Sequence, residues 1–184
     1  MRWQLVSLER AAAQPWRNGG GLTRELLAWP APEAWQVRIS VADVTAAGPF
    51  SAFEGIERWF AVLEGAGVVL RIGAGSSTLR AGDAPIQFGG GTPVHCTLVD
   101  GPTRDFNLMA APGRARLQRV AGEHAFRLEH DVLAGVYAHS APAAVHSAGG
   151  ILEVPAGHLA WTHGQGAAEG SVRGEGALWM EIVT

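Results

Sequence analysis

From Trp35 onward the chain repeats one pattern: a short apolar run, a cluster of Gly, Pro or Asp, then another run. The first run, Trp35-Gln36-Val37-Arg38-Ile39-Ser40-Val41-Ala42, alternates strictly. Such alternation sets Trp35, Val37, Ile39 and Val41 on one strand face and Gln36, Arg38 and Ser40 on the other. Strands are expected next at 59–63, 67–72, 77–80, 84–88, 94–99, 105–110 and 126–128, with Glu64-Gly65-Ala66 and Ala81-Gly82-Asp83 as turns. After Pro112-Gly113 the rhythm restarts, with strands expected at 132–139, 144–146, 150–154, 159–161 and 177–183. The stretch 164–176 reads as a connection, and 25–28 as a turn at most. No segment carries a sustained helical stripe. Many short strands with regular turn signals imply an all-β sandwich or barrel. The restart implies two barrel-like halves, residues 1–112 and 113–184, packed as one compact unit.

Composition narrows the function classes. With 184 residues, 47% of them apolar and 17% charged, the chain is that of a compact globular protein with a sizeable core. A net charge of −3 offers no electrostatic footprint for nucleic acid or an anionic membrane. All 14 basic residues are arginine, which excludes a Schiff-base lysine and a phosphate-loop lysine. The single cysteine, Cys96, excludes an internal disulfide and reads as a buried thiol within the apolar run 94–99. No cleavable leader is evident and no apolar run approaches about 18 residues, so a soluble, cytoplasmic protein is expected.

Three stretches concentrate chemistry. Pro15-Trp16-Arg17-Asn18-Gly19-Gly20-Gly21-Leu22-Thr23-Arg24-Glu25 surrounds three glycines with an indole, an amide, a hydroxyl, a carboxylate and guanidinium groups. Two readings are open for it: a glycine-rich hairpin turn, or a backbone that something approaches closely. Gly48-Pro49-Phe50-Ser51-Ala52-Phe53-Glu54-Gly55-Ile56-Glu57-Arg58 either plugs a barrel end with Phe50 and Phe53 beside a solvated Arg58, or aims Arg58 into a barrel mouth to fork onto a carboxylate. In Arg104-Asp105-Phe106-Asn107-Leu108-Met109, alternation puts Asp105, Asn107 and Met109 on one face. An acid and an amide there mark either a filled polar network or a ligand site.

Other chemistries find little support. The seven histidines, at 95, 124, 130, 139, 146, 158 and 163, show no His-x-His spacing, and His158 and His163 stand five apart across an expected loop. Neither a nucleophile elbow nor a dinucleotide fingerprint is present. No metal, no cofactor and no catalytic residue is assigned.

These motifs, in this order and together with Trp35-x-x-Arg38-Ile39-Ser40-x-Ala42, resemble the HutD/Ves family. The likeness is strong from Pro15 to Met109 and rests on length and strand rhythm beyond. It implies a cupin-like double barrel (a bicupin of the RmlC-like jelly-roll type) and a role in histidine utilisation through binding a pathway metabolite. Arg17 stands where the family commonly has lysine, and Gly89-Gly90-Gly91 looks looser than the usual loop. The Val62-Leu63-Glu64-Gly65 turn matches metal cupins, whose His-x-His positions are here filled by phenylalanine, serine and alanine. Pro155-Ala156-Gly157-His158 resembles only faintly the later cupin motif.

The expected site lies in the mouth of the first barrel. Arg38 and Arg58 hold a carboxylate; Asn18, Thr23, Ser40 and Asn107 offer hydrogen bonds; Glu25 meets an imidazole or amino group; Trp16 and Phe53 form an apolar wall. The family resemblance suggests urocanate or a formylated or formimino glutamate as the small-molecule carboxylate partner. Two rivals remain: a metal-independent enzyme using Glu25 or Asp105 as base, and a structural or regulatory partner with a packed interior. Edge strands make a homodimer the assembly to test.

Overall fold

The computed structural model describes residues 2–129, 131–164 and 166–184; His130, among the histidines considered above, lies outside them. In chain order the strands are β1 (Gln4–Ser7), β2 (Ala13–Pro15), β3 (Gly21–Trp29), β4 (Val37–Val44), β5 (Gly48–Pro49), β6 (Glu57–Glu64), β7 (Val68–Ile72), β8 (Gly75–Leu79), β9 (Ile86–Gly89) and β10 (Val94–Leu98). There follow β11 (Thr103–Ala110), β12 (Ala115–Arg119), β13 (Glu123–Leu128), β14 (Val132–Ala138), β15 (Ala143–Ser147), β16 (Gly150–Val154), β17 (His158–Gly164), β18 (Ala168–Arg173) and β19 (Leu178–Val183). The helical element among the described residues is one 3-10 turn, Pro32–Ala34. No helix there is long and apolar enough to cross a membrane.

Two compact units result: Ala12–Gly113, and Met1–Ala11 together with Arg114–Thr184. The N-terminal segment therefore groups with the second unit, unlike the expected division into 1–112 and 113–184. The reason is a long-range pairing invisible to local pattern: β1 runs antiparallel to β17, from Gln4 opposite Trp161 to Ser7 opposite His158. Thr162 Oγ1 also donates to the Arg2 carbonyl.

The unit Ala12–Gly113 consists of a six-stranded sheet, β2-β3-β4-β11-β6-β9, and a four-stranded sheet, β5-β10-β7-β8. Between them lies a core of Ala42, Val44, Phe60, Val62, Val68, Leu70, Phe88 and Cys96, so Cys96 is the buried thiol its apolar run suggested. The other unit likewise pairs a five-stranded sheet, β1-β17-β14-β19-β12, with a four-stranded one, β13-β18-β15-β16. Phe126 stacks on buried Trp179 in its core, at 4.7 Å between ring centroids. The architecture is all-β and cupin-like, built of paired sheets; among the described residues, hydrogen bonding does not close either unit into a barrel.

Three expectations change. Residues 25–28 lie inside β3, the longest strand, not in a turn. The register slips between Glu25 and Leu27, a bulge that hides period-two alternation, and pairing with β4 overrides the helix-favouring composition. Within 164–176, β18 forms with Val172 buried and its other side chains at or near the surface; one buried apolar position is too little to register as a strand. Trp35 precedes β4 and packs edge-on against Phe53, 6.3 Å between centroids.

Candidate functional site

The six-stranded sheet arranges the side chains of one face in rows. Arg38, Met109, Arg58 and Phe88 stand side by side on β4, β11, β6 and β9. The next row holds Glu25, Ser40, Asn107, Phe60 and Ile86, and the one after it Thr23, Ala42, Asp105 and Val62. Alternation makes this inevitable once the strands are in register, because residues two apart share a face. A cavity of about 690 Å³ opens over these rows, walled on its other side by Trp16, Phe50 and Phe53.

Arg58 dominates the site. It is 6% exposed, and among the described residues no carboxylate forms an ion pair with it. Its Nη2 donates to Asn107 Oδ1 at 2.7 Å, while its buried Nε has no partner. The guanidinium carbon lies 4.9 Å from the Phe50 ring centroid and 5.4 Å from that of Phe88. Burial, and secondarily the charge of Arg38, lowers its pKa to about 10, so it remains a cation at neutral pH. A desolvated cation with a buried N–H left unpaired is costly unless an anion completes it.

Asp105 is the second unusual group, 0% exposed at the cavity floor. Thr103 Oγ1 donates to its Oδ2 at 3.1 Å, and Oδ1 has no partner. Burial lifts its pKa to about 7; the Thr103 hydroxyl opposes the rise and the Asp43 carboxylate adds to it. Cys96 in turn is pushed up to about 12, by burial first and Asp105 second.

Of the expected site residues, Trp16, Asn18, Thr23, Arg38, Ser40, Phe53, Arg58 and Asn107 all line this one cavity. Arg58 is buried against it, not solvated. Glu25 does not line it: its Oε2 accepts from Arg38 Nε at 2.7 Å, which holds the arginine in place. The Thr23 hydroxyl is taken by the Trp16 indole N–H at 2.8 Å, and Trp16 meets Phe50 edge-on. Asn18 Oδ1 caps the Gly20 N–H at 3.0 Å.

The triple glycine serves as a turn and a packing surface. A Cβ on Gly21 would collide with the Asp43 carbonyl and press on the Trp16 ring, so glycine lets the indole pack close against the strand. Gly89-Gly90-Gly91 is tight, not loose. The Gly90 N–H donates to the Ile56 carbonyl at 2.6 Å and its carbonyl accepts from Phe53 N–H at 2.8 Å, pinning the Phe53 loop at the cavity rim. His158 and His163 both fall on β17, where their odd separation turns them to opposite faces.

Sequence reasoning left Asp105, Phe50, Phe60 and Met109 out of the expected site. The signal for Asp105 and Met109 was present, since both share the Asn107 face of β11.

The HutD family profile matches residues 8–180. An uncharacterised 21.2 kDa protein in the hutC 3′ region of Pseudomonas putida is 40% identical over 120 residues, 62% of this chain and 63% of that protein. Protein Ves of Cronobacter sakazakii is 33% identical over 120 residues, 64% of this chain and 66% of that one. The match thus spans just under two thirds of the length of these curated relatives. Among solved structures, HutD from Pseudomonas fluorescens SBW25, in a formate condition, superposes with a TM-score of 0.87 at 30% identity, covering 99% of this chain and 98% of that one. A conserved protein of unknown function from Pseudomonas aeruginosa PAO1 gives a TM-score of 0.84 at 33% identity, covering 99% and 97%. A conserved-barrel cupin from Leptotrichia buccalis, 11% identical with a TM-score of 0.59, shares the fold alone. The profile match across nearly the whole length establishes that this chain belongs to the HutD family.

Proposed function

We propose that the chain is a small-molecule binder that holds a carboxylate metabolite on Arg58 and Arg38 and acts in histidine utilisation. The observation that carries this reading is Arg58: a buried cation facing a cavity, held by an amide and two aromatic rings and ion-paired with no acid among the described residues. Two guanidinium groups in one row, on the strands either side of β11, suit a forked carboxylate. Ser40, Asn107 and the Asn18 amide offer further hydrogen bonds, and Trp16, Phe50 and Phe53 an apolar wall. A volume of about 690 Å³ sits within the range of small-molecule pockets, about 300–1,000 Å³, and far exceeds what a lone inorganic anion fills. The hutC neighbourhood named for the Pseudomonas putida relative supports a metabolite of histidine breakdown, such as urocanate or a formylated or formimino glutamate, met in the cytoplasm. The net charge of −3 offers no basic surface for nucleic acid or an anionic membrane.

The test is a thermal-shift and calorimetric comparison of urocanate, N-formylglutamate and formiminoglutamate on the native chain and on Arg58→Met. At a hundredfold excess over Kd a genuine ligand stabilises the native protein by about 2.7 kcal/mol, and Arg58→Met abolishes the response. An unmoved native melting curve, or an equal response from the variant, overturns the reading. One observation favours a second reading as a metal-independent enzyme: Asp105, with its pKa near 7, is placed at the cavity floor where a general base would stand. Turnover of any of these acids by the purified protein would decide for it.

A further inference from the structure

Asp105 is spent on none of the contacts that hold a carboxylate, and its chemistry is opposite to theirs. We propose that Asp105 is a specificity-determining residue that accepts an N–H from the far end of the ligand, so that the site selects acids carrying a nitrogen donor (an imidazole, amidine or amide) over plain acids of the same shape. This deepens the carboxylate-binding reading and rests on it.

The argument is one of spacing and of unfilled valence. On β11, Asn107 fixes the Arg58 guanidinium through the 2.7 Å bond to its amide oxygen. Asp105 stands two residues further along the same face, about 7 Å away at the rise of an antiparallel strand. The cavity is therefore cationic at one end and carries a carboxyl at the other, with Ala42, Phe60 and Val44 as apolar walls near the acid end. Among the described residues no arginine side chain pairs with Asp105, and its one hydrogen bond comes from the Thr103 hydroxyl. Its other oxygen is a buried acceptor without a donor. Proteins seldom leave such an atom orphaned, because the lost hydrogen bond is not returned by water. A donor brought in by the ligand completes it. Glu25, assigned to the nitrogen end from sequence, is already engaged by Arg38 outside the cavity lining, which leaves Asp105 as the acid at the floor. An acidic second end on the ligand would instead meet Asp105 carboxyl to carboxyl, a like-charge contact that disfavours binding.

Titration calorimetry with two matched pairs tests this on the full chain. Urocanate is paired with 3-(2-furyl)acrylate, the same planar ring and acid without an N–H; N-formylglutamate is paired with 2-(formyloxy)glutarate, in which an ester oxygen replaces the N–H. The native protein is expected to prefer the N–H member of at least one pair by tenfold or more, because a site built around a buried polar atom rejects the analogue that leaves it unpaired. Asp105→Ala is expected to bring that preference within about twofold while retaining affinity for the analogue, and Arg58→Met to lose both members. Where Asp105→Ala proves unfolded by its melting curve, Asp105→Leu replaces it, with the same expectation. A native protein that binds the members of each pair equally refutes the role of Asp105 while leaving the carboxylate site standing. Retention of the preference in the folded Asp105 variant does the same. Undiminished binding by Arg58→Met refutes the carboxylate site itself, and failure of the native protein to bind all four acids refutes both.

Discussion

Replacing Asp105 by asparagine is expected to remove a pH slope from the stability of the native chain. The carboxyl rises from 3.8 in the unfolded chain to about 7 in the folded one, chiefly because burial disfavours its charge. At about 1.4 kcal/mol per pH unit this corresponds to about 4 kcal/mol. A carboxyl whose folded pKa is raised contributes stability that is complete below its unfolded value and is lost as pH rises through the folded one. Between pH 5 and 7 the native protein therefore loses roughly 2–3 kcal/mol through this one group. Asparagine does not titrate; it substitutes a fixed cost for an orphaned amide NH2 group, about 1–3 kcal/mol. The two proteins should stand near parity at pH 5, with Asp105→Asn ahead by about 1–3 kcal/mol at pH 8. Urea denaturation of both proteins at pH 5, 6, 7 and 8 measures the difference, in which groups common to both cancel. At Asp43 burial is outweighed by hydrogen bonds from Arg104 and Arg24, and its pKa is lowered. Its contribution is lost only as pH falls below the ordinary carboxylate range, outside this window. A native-minus-variant difference that stays level from pH 5 to 8 would refute the reasoning.

Other consequences are as direct. Gly21→Ala should cost about 1–3 kcal/mol through overpacking, since the collision is with the Asp43 backbone carbonyl, which cannot swing aside; a lowered melting temperature checks it. Cys96, with its pKa pushed up to about 12, should resist Ellman's reagent at pH 8 in the folded protein and react on unfolding, because the thiolate fraction is roughly one in ten thousand. Glu25→Gln should weaken carboxylate binding about three- to tenfold by releasing Arg38, while changing stability by no more than about 1 kcal/mol, as expected for a partly exposed pair; calorimetry and melting together separate the two effects.

Much of the fold was legible because most strands of the cavity sheet keep one side dry. Val37, Ile39 and Val41 on β4 and Phe106 and Leu108 on β11 alternate with the cavity-facing residues, and period two follows directly. β3 was not legible, since the bulge after Glu25 breaks that period where Leu26 and Leu27 follow in succession. Glu25 keeps the register of Thr23, and it is the ion pair with Arg38 that occupies it. Its place in a row across the sheet depends on register, and from the chain alone it looked as free to face a ligand as Asp105. Arg58 and Asn107 could be named from their motifs, yet their mutual bond joins positions 49 residues apart, which only the paired strands reveal. The orphaned oxygen of Asp105 belongs to tertiary packing alone.

The pairing of β1 with β17 means that the polypeptide passes between the two units twice, near Ala11 and again near Gly113. During synthesis β1 leaves the ribosome well before the strand it must join, and the intervening Ala12–Gly113 unit can fold while that edge waits. Cleavage between Gly113 and Arg114 would strand β1 on the wrong fragment, leaving the severed C-terminal piece with β17 bare along one side.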